Sequence, residues 1–226
     1  MINRTKISTY LLATALVCFA SGAGAFADTT VGTVNSTDCF PFLCRGGPTI
    51  DYQQVYSAAA FSGTQSISSL TFFFSEGESS FVLTGTYDIS LSNTSAAVGA
   101  LSADLALNRG ANNTLVDVFT GGVDSNPSFT ITFTTPFTYD PTKGNLLLEV
   151  IASGQPNLIN GFLEADGSGT STSQAFCSVG PCSSNTFVQN LGLVTTFGTR
   201  PLPEPGSLAL LGVGLLGFAS FKLLKK

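Results

Sequence analysis

The sequence contains no histidine and no tryptophan, and only 10% of its 226 residues are charged. The absence of histidine excludes Ser-His-Asp and Cys-His catalysis, histidine-ligated zinc or haem, and a histidine-based pH switch. Nine basic residues against fourteen acidic ones do not support binding of nucleic acid through phosphate neutralisation. Because 43% of the residues are hydrophobic, the composition is not that of a disordered chain. A chain of 226 residues is also long enough to bury a core.

The first 27 residues have the three parts of a secretory signal peptide. Arg4 and Lys6 give a basic start, residues 7–19 are mostly apolar, and Ala25-Phe26-Ala27 forms an A-x-A cleavage site before Asp28. Signal peptidase and the secretion machinery are therefore expected partners. An uncleaved anchor is the alternative, but the apolar stretch is shorter than the ~20 residues that span a bilayer.

Residues 200–226 have the layout of a second targeting segment. An extended proline-rich stretch, in which each proline fixes its own φ and disfavours helix before it, precedes an apolar run over residues 206–221. We predict that this run forms a transmembrane helix with the C-terminal tail in the cytoplasm, by the positive-inside rule. The lysines that would stop transfer are Lys222, Lys225 and Lys226. A buried core helix is the alternative.

This arrangement resembles the PEP-CTERM sorting signal, in which a Pro-Glu-Pro triplet, an apolar run and basic residues follow one another. Family members occur in Gram-negative bacteria, many of which make exopolysaccharide, and exosortase, a membrane protease or transpeptidase, recognises the signal. The resemblance implies that exosortase recognises Pro203, Glu204 and Pro205. It also implies that the inner membrane holds the protein before processing, which then delivers it to the cell surface or extracellular matrix. Exopolysaccharide of a biofilm is a further partner that the resemblance suggests. The basic end is all lysine here, where many members carry arginine.

Residues 28–199 show the period-two alternation of antiparallel strands. Residues 129–134 alternate apolar side chains with threonine, residues 87–92 do the same with other polar partners, and residues 146–151 are typical of a strand buried on both faces. Glycine-, proline- and aspartate-rich turns separate these stretches. We predict one all-β domain, an antiparallel two-sheet sandwich of jelly-roll-like form. Residues 96–107 come nearest to helical periodicity and predict a short helix.

Four cysteines remain after the signal peptide, which contains Cys18, is removed: Cys39, Cys44, Cys177 and Cys182. An even number in an exported chain indicates disulfides, and three connectivities are possible. Local pairing within each C-x4-C segment is favoured because each loop contains a proline. A zinc site made from all four cysteines is the alternative.

Calcium at Asp166-Gly167-Ser168-Gly169 is disfavoured against an ordinary turn because the D-x-[DN]-x-[DN]-G spacing is missing. We therefore expect no metal and no cofactor.

Paired carboxylates are the remaining route to chemistry, since they could hydrolyse glycosides. Glu76 and Glu78 flank a turn glycine and are expected to be solvated, and Glu149 is expected on the polar side of an edge strand. Because no catalytic constellation is visible, we expect a non-enzymatic surface or matrix protein that acts in adhesion or matrix structure. A lectin-like module is one alternative and a glycoside hydrolase the other. The aromatic platforms for a lectin would be Tyr52, Tyr56, Tyr87 and Tyr139, although core packing suits each of them better.

Overall fold

The domain is a sandwich of two antiparallel β-sheets, as the alternating sequence pattern predicted. The structure is a computed structural model that describes residues 28–44, 49–77, 80–125, 127–154, 161–177, 182 and 185–200. The predicted signal peptide and its cleavage site, the Pro-Glu-Pro triplet, the transmembrane run and the terminal lysines all lie outside these described residues. Within the described ranges, no helix combines the length and hydropathy needed to cross a bilayer.

One face of the sandwich is a four-stranded sheet that contains both ends of the domain. Its strands in spatial order are β1 (Thr29–Val31), β15 (Thr195–Arg200), β4 (Gln65–Phe73) and β9 (Ser128–Tyr139). β4 is a bulged strand whose register with β9 shifts between Ile67 and Ser69. β15 ends at Arg200, one residue beyond the domain boundary expected from the sequence, because Arg200 still pairs with Ser66 of β4.

The opposite face is a six-stranded sheet with β10 near its centre. Its strands in spatial order are β13 (Thr186–Gln189), β12 (Thr172–Cys177), β3 (Thr49–Tyr56), β10 (Asn145–Ser153), β6 (Thr86–Thr94) and β7 (Thr114–Thr120). The two sheets meet along one edge, where the Asp117 carboxylate of β7 accepts hydrogen bonds from the amide and hydroxyl of Thr134 in β9. This contact covers two strand edges that would otherwise be free to pair with another chain.

Two small sheets complete the described part of the fold. They consist of β14 (Gly192–Leu193), β11 (Leu163–Asp166) and β2 (Ser36–Asp38), and of β5 (Ser80–Val82) and β8 (Val123–Ser125). Residues 193–197 are divided between two sheets. Leu193 pairs with Ala165, whereas Thr195 pairs with Phe72, so the chain changes sheet at Val194.

Aromatic and aliphatic side chains from both sheets fill the space between them. The rings of Phe42, Phe72 and Phe129 pack with centroids 5.0–5.4 Å apart, and Phe61 packs edge-on against Tyr139 and Phe197. This main core contains Leu146, Leu148 and Val150 of β10. Burial of large apolar side chains at about 1.5–3 kcal/mol each is the dominant stabilising contribution here.

A second, smaller cluster lies on the outer face of the six-stranded sheet. Val55, Leu147 and Ala175 of the sheet pack there against Leu101 and Leu105. Leu147 therefore buries the other face of β10, as its continuous apolar run predicted. The covering segment, residues 95–113, contains one 3-10 turn at Leu105–Asn108 rather than the short helix that its periodicity predicted. The side chain of Asp104 caps this turn by accepting from the amide of Ala106.

Candidate functional site

The cysteines form two local disulfides, Cys39–Cys44 and Cys177–Cys182, which is the pairing favoured from the sequence. Cys39 packs against the main core, whereas Cys177 and Cys182 belong to the second cluster beyond the six-stranded sheet. A zinc site made from all four cysteines is therefore wrong for this fold. The sulfurs of Cys39 and Cys44 lie within 4.8 Å of an oxygen of Asp38, but both sulfurs are bonded to each other.

Asp38 instead organises the loop that carries the first disulfide. One carboxylate oxygen accepts from the amides of Cys39 and Phe40, and the other accepts from the side-chain amide of Gln174 at 2.6 Å. Burial raises the pKa of Asp38, and these three hydrogen bonds offset part of the increase. The carboxyl group therefore connects the loop after β2 to β12.

The four tyrosines considered as sugar-binding platforms are fully buried. Tyr56 packs edge-on against Phe197, and its hydroxyl is hydrogen-bonded to Thr195. The hydroxyls of Tyr87 and Tyr139 donate to the carbonyls of Thr84 and Gly144. Burial raises the pKa of Tyr52 and Tyr56 above the ordinary tyrosine value. These rings belong to the core, and none of them presents a face to a ligand.

The three glutamates considered for catalysis and Glu164, the remaining glutamate of the domain, lie in different places. Glu76 is exposed in a turn, Glu164 is half-buried in β11, and Glu78 lies outside the described residues. The expectation for Glu149 is wrong, because Glu149 lies on a central strand and is only 3% exposed. A carboxylate can occupy that buried position because a guanidinium group and side-chain amides donate hydrogen bonds to it.

Arg109 is the counter-ion of Glu149 on the outer face of the six-stranded sheet. Its Nε donates to both carboxylate oxygens at 2.7 and 2.9 Å, and its Nη2 lies 2.6 Å from Oε1. The side-chain amide of Gln53 donates to the same carboxylate at 2.7 Å, and that of Asn113 at 3.4 Å. The guanidinium also lies 3.4 Å from Asp51. We call Asp51, Gln53, Arg109, Asn113 and Glu149 the carboxylate network.

Asp51 is the member of this network whose carboxylate is incompletely hydrogen-bonded. Burial and, to a smaller extent, the nearby charge of Glu149 raise the pKa of Asp51 to about 6, although Arg109 acts in the opposite direction. One of its carboxylate oxygens is buried without a hydrogen-bond partner. The hydrogen bond to Glu149 raises the pKa of Arg109, which holds its charge. One cation therefore serves two carboxylates.

Sequence reasoning missed Arg109, Gln53 and Asn113 as partners of Glu149, and Asp51 as the second carboxylate beside Arg109. One signal could have found the first of them. A glutamate inside a continuous apolar run requires a counter-ion, and residues 28–199 contain only Arg45, Arg109 and Lys143 as basic residues.

Asp166 organises a turn, as the sequence predicted, and both of its carboxylate oxygens accept hydrogen bonds. Its carboxylate accepts from the amides of Thr33 and Ser168, from the side-chain amide of Asn35 and from the hydroxyl of Ser171. Burial raises the pKa of Asp166, but these hydrogen bonds outweigh it and lower the value to about 2.

The outer face of the four-stranded sheet carries a row of threonines, one from each strand. Thr30, Thr196, Thr71 and Thr130 are register partners across β1, β15, β4 and β9. Their hydroxyls are hydrogen-bonded in pairs at 2.7 Å. The next row contains Gly198, Ser69 and Thr132, with the Asp28 carboxylate beside Gly198 at its β1 end. We call the four threonines the hydroxyl row. The alternation over residues 129–134 predicted an outward threonine face, but the alignment across strands depends on register.

The sorting segment continues directly from the four-stranded sheet, since residue 201 follows Arg200 at the end of β15. Residues 201–223 match the family model described as the PEP-CTERM protein-sorting motif. A search of curated proteins finds no match for this chain. The match covers the Pro-Glu-Pro triplet and the apolar run that the sequence singled out. Residues 201–223 are therefore a PEP-CTERM protein-sorting motif, which implies that this chain is exported and targeted to exosortase.

Proposed function

We propose that the chain is an exosortase-processed surface or extracellular-matrix protein whose β-sandwich has a non-catalytic role. The signal peptide directs export, and the apolar run holds the precursor in the inner membrane as a single-pass protein with Lys222, Lys225 and Lys226 in the cytoplasm. Exosortase then acts at the Pro-Glu-Pro triplet. The observation that carries this proposal is the match of residues 201–223 to the sorting motif immediately after a folded β-domain.

The processing step is tested by changing the triplet in the producing cell. The variant Pro203→Ala/Glu204→Ala/Pro205→Ala keeps the apolar run and the lysines, so it is expected to accumulate at full length in the inner membrane. Pro201→Ala is the matched control, because it removes a proline of the same segment outside the triplet and is expected to be processed normally. Normal processing of the triplet variant would contradict the proposal.

Adhesion or matrix structure is the role that the described surface favours. The hydroxyl row presents groups that both donate and accept hydrogen bonds, which suits contact with uncharged sugars. Residues 28–200 contain four basic and thirteen acidic residues, a net charge of −9, which disfavours contact with anionic polymers. We therefore propose a neutral polysaccharide of the matrix as the binding partner, a lectin-like contact made through hydroxyl groups rather than aromatic platforms.

This partner is tested with the exported protein and insoluble polysaccharides of different charge. Retention on a neutral polymer such as cellulose should exceed retention on an anionic one such as alginate at low ionic strength. Thr71→Val/Thr130→Val should lower retention on the neutral polymer, whereas Thr120→Val, an exposed threonine of β7, should leave it unchanged. Equal loss in both variants would count against the hydroxyl row.

A further inference from the structure

The two ends of the domain lie side by side. β1 and β15 are antiparallel neighbours in which Thr29 pairs with Phe197, and a carboxylate oxygen of Asp28 accepts from the amide of Thr199 at 3.1 Å. Neighbouring strands are about 4.8 Å apart. The residues before 28 and the residues after 200 therefore join the domain at the same end, which we call the exit end.

Loops from both sheets surround this end. Arg200 pairs with Ser66 at the start of β4, and Gln65 pairs with Tyr139 at the end of β9. The exit end therefore also includes the loop over residues 62–64, which precedes β4, and the loop over residues 140–144, which joins β9 to β10. Gly63 in the first of these loops has open space around it.

The charges of the domain are unevenly distributed about this end. Among the described residues the basic side chains are Arg109, Lys143 and Arg200, and Arg109 is bound to Glu149. Lys143, whose side chain is 70% exposed, and Arg200 both belong to the exit end. Asp28 and Asp140 balance them there, so the net charge of −9 is carried by the rest of the domain. Signal-peptide cleavage before Asp28 would add an ammonium group at the exit end.

The chain length to the apolar run is short. Five residues, 201–205, separate Arg200 from the apolar run over residues 206–221, and a fully extended chain spans at most about 3.6 Å per residue, so the run begins within about 22 Å of the exit end. β10 alone, with nine residues, is about 30 Å long. The tether is therefore no longer than the domain itself, and the exit end is the part of the domain nearest to the membrane that holds the run.

From these observations we propose that the precursor lies with its exit end against an anionic lipid surface, which Lys143 and Arg200 contact, while the acidic remainder of the domain points away. This inference depends on the proposed membrane-held precursor. An anionic bilayer attracts exposed cations close to its surface and repels the acidic far end, so charge and tether favour the same orientation. The Pro-Glu-Pro triplet is then held close to the membrane, where a membrane-embedded protease acts.

The orientation is measured with two matched thiol probes in the full chain. Gly63→Cys reports the exit end. Gly122→Cys reports the opposite end, because it follows β7, whose final residue aligns through Thr86 with Ser153 at the far end of β10. A Cβ at either glycine meets nothing within 4 Å. Cys18→Ala in both variants leaves the probe as the single cysteine outside the two disulfides.

The chain is reconstituted in vesicles of phosphatidylethanolamine and phosphatidylglycerol, and a fluorophore on each probe is quenched by nitroxide-labelled lipid headgroups. The Gly63 probe should be quenched about threefold or more above the Gly122 probe, since about 30 Å of strand separates them. In purely zwitterionic vesicles, or with Lys143→Glu, this ratio should fall. Equal quenching of the two probes in the anionic vesicles would overturn the orientation. A quenching ratio that is the same in anionic and zwitterionic vesicles would overturn the lipid contact. Extraction of the chain from the vesicles by alkaline carbonate would instead contradict the membrane-held precursor.

Discussion

Removal of Arg109 should destabilise the domain much more than removal of the exposed Lys143. Glu149 is only 3% exposed and receives three of its shortest contacts from the guanidinium, at 2.6, 2.7 and 2.9 Å. Breaking a buried ion pair from one side costs about 3–5 kcal/mol, because the remaining charge is left without a partner. The Arg109 side chain is 32% exposed, so water replaces part of the contact and we expect about 2–3 kcal/mol for Arg109→Met.

The assay is urea unfolding of the exported protein with both disulfides intact, followed by circular dichroism. With a slope of about 2 kcal/mol/M for a domain of this size, Arg109→Met should lower the midpoint by about 1 M or more. Arg109→Met/Glu149→Gln should be less destabilised than the sum of its two single variants, because no unpaired charge remains in the double variant. Lys143→Met is the control, since Lys143 is exposed and lies 3.6 Å from Asp140, and its midpoint should change little.

The reasoning would be refuted if Arg109→Met and Lys143→Met gave the same midpoint, or if the single variants were additive in the double variant. Additivity would mean that Arg109 and Glu149 contribute independently, despite the contacts between them.

Three further predictions concern pH, the disulfides and a close backbone approach. The pKa of Asp51, raised to about 6, means that folding favours its protonated form, so stability should fall as pH rises from about 4 to about 6, by on the order of 2 kcal/mol after allowance for its partial exposure. Asp51→Asn should flatten this part of a plot of melting temperature against pH, and an unchanged slope would contradict it. Cys177→Ala/Cys182→Ala should cost about 2 kcal/mol, the loop-closure value for so short a ring, and no change in the urea midpoint would contradict a formed disulfide. Gly110→Ala should lower the melting temperature, because its Cβ would lie 1.6 Å from the carbonyl oxygen of Asn93, whereas Gly63→Ala should not.

The β-class and most of the strands could be predicted because burial of one face of a strand imposes a period of two on the sequence. β9, with phenylalanine and isoleucine inward and threonine outward, shows that period for most of its length. β10 could be predicted as buried on both faces from its continuous apolar run. The local disulfides could also be predicted, since a loop of four residues brings its cysteines together without help from the rest of the fold.

The carboxylate network could not be predicted because it depends on contacts distant in the chain. Glu149 meets Arg109 and Gln53 only after β10 has paired with β3 and residues 95–113 have folded over that sheet. A single sequence does not show which residues pair between two strands when those residues are 96 positions apart, as Gln53 and Glu149 are. For the same reason the hydroxyl row depends on the alignment of β1, β15, β4 and β9, although each threonine alternates in its own strand.

The central claim is that two terminal segments direct export of the chain across the inner membrane and are then removed, which leaves a disulfide-bonded β-sandwich. The most direct test is the intact mass, under non-reducing conditions, of the protein recovered from the cell surface or matrix. We predict a chain that begins at Asp28, ends at or near the Pro-Glu-Pro triplet, and weighs four hydrogens less than its reduced form, because Cys39–Cys44 and Cys177–Cys182 are bonded. A mass that includes residues 206–226, or one that shows four free thiols, would contradict the account.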